Sequence, residues 1–285
     1  MNRGHRIRLF FGAGLGVFLT LLIVAGVVFI RGTPPSPPET SPPAPAEPLA
    51  KPPPPEPPPP EQVYEKTEKK LIFVIDDAGN NLHDLEPFLR FPGPITIAVL
   101  PGLRYSAESA QRIRSAGKAV LLHQPMEAVG GQDPGPGAIY AGMTPEAVRT
   151  VLEKNLAEIG PVAGMNNHQG SKATMDPAVM ETVLTVCREQ GIYFLDSRTI
   201  AETAAPAVAE RLGMNIAERD IFLDNIQEKT AMLRYLEEGL EKADRRGIAI
   251  MIGHTWSPEL APLLAEAYAD LTAKGYAFST LPSLD

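Results

Sequence analysis

The sequence predicts an α/β fold in which helices cover a parallel sheet, either as a (β/α) barrel or as a doubly wound sheet. From residue 70 onward, short apolar runs rich in β-branched residues alternate about seven times with amphipathic stretches. The runs are apolar at successive positions, which is typical of strands buried on both faces. The predicted strands are 71–75, 95–99, 119–122, 162–165, 192–195, 221–223 and 248–252, with an eighth short run at 276–279.

Helix ends are predicted from capping residues. Thr144, Asp176 and Ser257 each precede a proline, the pattern of an N-cap followed by proline at the first helical position. Gly191 and Gly275 stand where C-terminal glycines are expected. Since no shift in composition divides residues 70–285, we expect one folded domain there.

The N-terminal region is predicted to anchor the chain in a membrane. Residues 9–30 are 22 residues without a charge, long enough to span a bilayer as a helix. The flank, residues 1–8, carries three arginines and should stay in the cytoplasm, so the rest of the chain is expected outside. A cleaved signal peptide is the alternative, although its apolar region would be shorter. The expected location is the cytoplasmic membrane, with a single pass and a periplasmic C-terminal domain.

A proline-rich linker, residues 31–69, is predicted between the anchor and the domain. Residues 33–60 hold 16 of the 30 prolines, which exclude a helix or a sheet interior. Extended polyproline II of this length reaches roughly 80–90 Å, so the linker should act as a semi-rigid spacer.

Composition excludes some classes of partner. The 285 residues carry a net charge of −8, which argues against a nucleic-acid surface. A single cysteine, Cys187, excludes an intrachain disulfide. Protein partners stay unknown: proline-rich tracts can bind small adaptor domains, but such domains are mostly cytosolic, whereas this tract is expected outside.

Polar clusters follow most of the predicted strands. Because the carboxyl ends of parallel strands share one edge, these clusters should lie together where ligands bind. Three of the four histidines of the domain are among them. The clusters are Asp76-Asp77, His123 to Glu127, Asn166 to Ser171, Asp196-Ser197-Arg198, Asp224-Asn225 and Gly253 to Trp256.

Paired aspartates with histidines suit a divalent metal, and zinc is the expected ion. A carboxylate beside the metal can act as a base on water, and a histidine opposite can act as an acid. Neither a glycine-flanked serine nucleophile nor a phosphate-binding loop is present. Any one cluster is commonly a helix cap or a structural group, but six on one edge indicate a functional site.

The order of these motifs resembles the divergent polysaccharide deacetylases, a branch of the NodB-type carbohydrate esterase superfamily. The resemblance covers residues 70–283. It is carried by the motifs Ile75 to Gly79, His123 to Glu127, Asn166 to Ser171, Asp196 to Thr199 and Ile252 to His254. It implies a distorted seven-stranded (β/α) barrel and a metal-dependent deacetylase.

The resemblance also implies residue roles. Asp76 matches the base, Asp77 a metal ligand and His254 the acid. The family's second metal histidine is replaced by Glu127, four residues after the ligand His123, so His168 or Glu127 would complete the metal site.

The arginine that steadies the base in relatives is absent at Asn166-Asn167, which leaves Arg198 for that task. The remaining polar or aromatic side chains of the clusters are expected to bind substrate, namely Asn166, Asn167, Asp196 and Trp256.

Two functions remain open at this point. One is a metal-dependent hydrolase that deacetylates an extracytoplasmic polysaccharide, at an amide or an ester. The other is a glycan-binding pseudoenzyme that kept the fold and lost turnover. The altered metal motif favours the second function, whereas the retention of Asp76, Asp77 and His254 favours the first.

Overall fold

The computed structural model describes residues 68–281, and in it parallel strands form one curled sheet covered by helices. The strands are β1 Lys69–Ala78, β2 Thr96–Val99, β3 Ala119–Met126, β4 Gly164–Gln169, β5 Tyr193–Asp196, β6 Ala217–Glu218, β7 Ile221–Phe222, β8 Ile248–His254 and β9 Tyr276–Ser279. The helices are α1 Glu86–Leu89, α2 Ser106–Ser115, α3 Pro145–Ile159, α4 Pro177–Gln190, α5 Ala205–Leu212, α6 Lys229–Arg246 and α7 Leu260–Ala273.

The strand order is β6-β5-β4-β3-β2-β1-β8-β7, and β9 pairs with β1. Strand β2 pairs with the second half of β1, and β9 pairs with its first half. Within residues 68–281 no ladder joins β6 to β7, so the sheet is a half-barrel that is open at this point. The expected α/β class is correct, but residues 68–281 form nine strands instead of the expected seven. The eighth run was visible in the sequence, whereas the two residues of β6 are too few to form a pattern.

Both faces of the sheet are buried, which explains the unbroken apolar runs. In β1, Ile72 and Val74 belong to a small core inside the curl, while Leu71, Phe73 and Ile75 pack toward the helices. Alternate residues of a strand point to opposite faces, so each strand contributes to both cores. The inner core also contains Ala98, Leu121, Tyr193, Leu195, Ile250 and Ile252.

Two of the three predicted helix starts agree with the structure. The Thr144 hydroxyl accepts a hydrogen bond from the Ala147 N–H at 3.3 Å, and the Asp176 carboxylate accepts from two amides of α4. The third prediction is wrong, because α7 begins at Leu260 rather than after Ser257. Ser257 precedes the helix as part of the turn that follows β8.

The membrane predictions concern residues that precede the described part of the chain. None of the helices within 68–281 is both long and apolar enough to cross a bilayer. The predicted anchor at 9–30 and nearly all of the linker at 31–69 lie outside the described residues.

A glycine on the inner face of β4 gives the first testable prediction. A Cβ at Gly164 would lie 2.5 Å from two ring carbons of the buried Tyr193. We expect Gly164→Ala to lower the free energy of unfolding by about 1–3 kcal/mol, the usual cost of overpacking a core. Chemical denaturation measures this change. In a Tyr193→Leu background the same methyl should cost less, and an equal cost in both backgrounds would contradict the packing explanation.

Candidate active site

The inner face of the sheet carries the polar residues at the carboxyl ends of its strands, a region called the mouth from here on. The alternation that buries Ile72 and Val74 continues to Asp76 on β1. The same alternation places polar side chains at the inner ends of the other strands. These are His123 on β3, Asn166 and His168 on β4, Ser197 after β5 and His254 on β8.

A bulge brings Asp77 to the same place as Asp76. Consecutive strand residues normally point to opposite faces, which would turn Asp77 away from the mouth. The register between β1 and β2 shifts between Ile75 and Ala78, and Asp77 has a φ of 66°. Positive φ is uncommon for a residue with a side chain and is found at functional sites where the surrounding structure imposes it. The bulge therefore aims both carboxylates at one site.

Three side chains form a cluster that could hold a metal ion. Asp77 Oδ1 lies 2.9 Å from His168 Nδ1 and 3.2 Å from His123 Nε2, and the two nitrogens are 3.1 Å apart. Such separations fit three ligands of one ion at about 2.0–2.2 Å. Asp77 Oδ1 is buried and has no hydrogen-bond partner with acceptable geometry. The donor set, its spacing and the unsatisfied oxygen therefore fit a divalent cation.

The electrostatics of the cluster favour a cation as well. Burial by itself would lower the pKa of His123, but the negative charges of Asp76 and Asp77 outweigh it and raise the pKa to about 9. Burial would raise the pKa of Asp77, yet the close approach and positive charge of His123 and His168 hold it well below the ordinary value. The site thus stabilises the ionised form of Asp77 and positive charge beside it.

Asp76 lies beside the cluster and is held by an amide. Its Oδ1 accepts a 2.8 Å hydrogen bond from Asn166 Nδ2, and its Oδ2 is 3.6 Å from His123 Nε2. Only 2% of Asp76 is exposed, and this burial raises its pKa in spite of the nearby histidines. A carboxylate with a raised pKa is a stronger base than an exposed one, which suits proton abstraction.

His254 lies across β1 from His123 and His168 and is paired with Asp76 in the β1–β8 register. Its Nδ1 is 2.9 Å from Asp224 Oδ1, and its backbone N–H donates to Asp224 Oδ2 at 2.8 Å. Burial alone would lower the pKa of His254, but the Asp224 hydrogen bond and the charge of Asp76 raise it. Asp224 was predicted to lie in one of the polar clusters after the strands, but no role in the site was assigned to it.

Trp256 contacts both Asp77 of the possible metal group and His254. Its indole N–H donates a 2.8 Å hydrogen bond to Asp77 Oδ2, and its ring stacks on His254 with centroids 4.7 Å apart. The side chain is nevertheless 42% exposed, so part of the indole faces solvent beside the buried polar groups.

Two residues with predicted roles make other contacts. The Arg198 Nε lies 3.3 Å from Glu218, and the group that contacts Asp76 is Asn166 instead. The Glu127 carboxylate is bound by Lys172 at 2.8 Å and by the Ala141 N–H at 3.0 Å. Within the described residues the possible metal group contains Asp77, His123 and His168 and does not include Glu127.

The predicted substrate-binding residues fall in different surroundings. Asn167 is buried and ties β4 to the next strand end, since its Oδ1 accepts from the Ser197 N–H at 2.9 Å. Asp196 is also buried, accepts a hydrogen bond from the Arg198 N–H and has a pKa raised by burial. Trp256 is the one of the four that is substantially exposed.

A cavity of about 240 Å³ opens beside the cluster, with Asp77 and His168 in its wall. Its other walls come from residues 100–103 and from the glycine- and proline-rich segment 133–136. A larger hollow of about 600 Å³ lies between α3 and α4 and contains none of the mouth residues. Of these two cavities, the smaller one is placed to admit a ligand to the polar cluster.

Comparison with known proteins gives a match to one protein family and two proteins of similar sequence. The family model described as divergent polysaccharide deacetylase matches residues 73–284. An uncharacterized protein of Haemophilus influenzae is 34% identical over 200 residues, which cover 70% of this chain and 71% of that protein. The uncharacterized protein YibQ of Escherichia coli is 31% identical over 185 residues, or 65% of this chain and 58% of YibQ.

A solved structure has the same fold. An uncharacterized protein of Agrobacterium tumefaciens C58 superimposes with a TM-score of 0.69 at 20% identity, over 74% of this chain and 87% of that one.

Proposed function

The chain belongs to the divergent polysaccharide deacetylase family, and on that premise we propose that it is a metal-dependent hydrolase that removes acetyl groups from an extracytoplasmic polysaccharide. The observation that carries the proposal is the convergence of Asp77, His123 and His168 beside a buried carboxylate and a carboxylate-paired histidine. A site that served only to bind a glycan would have no need for an acid and a base on either side of a metal-ligand set.

In this proposal Asp77, His123 and His168 hold the ion, with zinc the expected metal. Such an ion supplies a Lewis acid that polarises a carbonyl oxygen and acidifies water. Glu127 is not assigned to it, because Lys172 and the Ala141 amide occupy its carboxylate.

The protons are moved by Asp76 and His254. Asp76, buried and with a raised pKa, accepts a proton from the attacking water. His254 keeps its proton through the Asp224 hydrogen bond and donates it to the leaving amine or alcohol of the sugar. Trp256 offers its exposed indole to a sugar ring, and the 240 Å³ cavity admits the acyl group.

The test measures metal content and acetate release together. The purified full-length chain is loaded with Zn²⁺, Co²⁺ or Ni²⁺ and incubated with N-acetylated and O-acetylated oligosaccharides. We expect one ion per chain and release of acetate from one of the two classes, which identifies the bond cleaved. Glycan binding without metal and without acetate would instead establish the pseudoenzyme.

The location is a further part of the proposal and rests on residues 9–30. We expect the chain to remain in the membrane fraction after alkaline carbonate extraction, with the domain accessible to protease from the periplasm. Mass spectrometry of the N-terminus is the check, because a mature chain that begins after Arg31 would show that the segment is a cleaved signal peptide.

A further inference from the structure

We infer that Asn166 is a positioning residue that fixes the proton of the metal ligand His123 and the orientation of the base Asp76 with one amide group. The inference rests on the proposed function, since it assigns Asn166 a task in the same site. His123 and Asn166 are directly paired in the β3–β4 register, and both are buried. The amide therefore lies between the ligand on β3 and the base on β1.

The two hydrogen bonds determine which way the amide faces. One end of Asn166 is 2.8 Å from Asp76 Oδ1, and the other end is 2.8 Å from His123 Nδ1. As the base of the proposed reaction Asp76 acts in its ionised form, which only accepts hydrogen bonds, so the NH₂ group of Asn166 must face Asp76. The reversed amide would place two acceptor oxygens in contact.

The orientation of Asn166 in turn sets the state of His123. Its carbonyl oxygen faces Nδ1 and can only accept, so Nδ1 must carry a proton. The other nitrogen, Nε2, is then the one that presents a lone pair to Asp77 and His168, as metal ligation requires. Loss of a group that holds a ligating histidine in this way typically costs 10–100-fold in metal affinity.

The same amide restrains the base. Asp76 has no other side-chain hydrogen-bond donor among the described contacts, and the Arg198 guanidinium pairs with Glu218. Holding Oδ1 leaves Asp76 Oδ2 on the side of the metal ligands, 3.6 Å from His123 Nε2. Asn166 thus couples the orientation of the base to that of the ligand.

Two substitutions in the full-length protein separate these tasks. Asn166→Ala removes both hydrogen bonds, together with a longer one of 3.4 Å to Ser197 Oγ, so we expect Zn²⁺ affinity to fall 10–100-fold and kcat to fall as well. Asn166→Asp keeps an acceptor for His123 Nδ1 but faces Asp76 with a second carboxylate. We therefore expect its Zn²⁺ affinity to stay within a few-fold of wild type, while kcat falls at saturating metal. Competition with a chromophoric chelator gives the affinities.

Asn155→Ala is the matched control, because Asn155 is an equally buried amide that binds Gln124 and the Gly137 carbonyl away from the mouth. It should lower thermal stability and leave Zn²⁺ affinity unchanged. In the zinc-loaded wild type, ¹⁵N-labelled histidine should give His123 a protonated Nδ1 in the long-range ¹H–¹⁵N spectrum.

An unprotonated Nδ1 of His123, or wild-type Zn²⁺ affinity in Asn166→Ala, would overturn the inference. A wild-type protein that binds no metal and releases no acetate would instead defeat the proposed function.

Discussion

His168→Ala is expected to lose its stoichiometric zinc, whereas His254→Ala is expected to keep one ion per chain and to turn over roughly 100-fold more slowly or worse. His168 Nδ1 lies within 3.1 Å of both other candidate ligand atoms, so its removal leaves only Asp77 and His123. Two protein ligands rarely hold zinc tightly, because its protein sites supply three or four. His254 is outside the group and is held by Asp224.

The comparison needs a control for the loss of a histidine as such. His83 is exposed and lies outside the cluster, so His83→Ala should retain both metal and turnover. Metal content is measured by mass spectrometry on dialysed protein, and turnover is measured at saturating metal. Zinc retained in His168→Ala but lost from His254→Ala would show that the two histidine roles are reversed.

Much of the fold and part of the site can be predicted from the unbroken apolar strands and the polar residues that follow them. The apolar run ending at Ile75 predicts a strand that is buried on both faces. Ile72 and Val74 point inside the curl, so Asp76, two residues after Val74, points there as well. The same reasoning, applied to Leu121 and Ile252, places His123 and His254 inside the curl. Strand ends are thus informative because side-chain direction alternates strictly within a regular strand.

The parts that could not be predicted depend on departures from regularity and on tertiary contacts. Asp77 reaches the mouth only because a bulge and a positive φ turn it there, and no sequence pattern specifies that bulge. Glu127 has the spacing of a ligand, but Lys172 and the Ala141 amide come from distant segments to bind it. Arg198 has the right chemistry for steadying a base, yet its side chain pairs with Glu218.

Asp76→Asn should reduce kcat by roughly 10²–10⁴-fold while leaving zinc bound, since general base catalysis commonly contributes that much. The substitution keeps the volume of the side chain and an oxygen that can accept from Asn166 Nδ2. What it removes is the basic oxygen whose pKa is raised by burial. Zinc content, kcat and the thermal midpoint are measured on the same preparation.

Asp220→Asn provides the matched comparison, because Asp220 is a buried carboxylate that pairs with Arg246 and Lys242 away from the mouth. It should lower stability and leave kcat at the wild-type value. If Asp76→Asn also kept wild-type turnover, Asp76 would not be the base. If it lost its zinc instead, Asp76 would be a ligand. Zinc content has to be measured for this reason, because Asp76 Oδ2 lies only 3.6 Å from His123 Nε2. Loss of turnover with zinc retained is the result that separates a base from a ligand at this carboxylate.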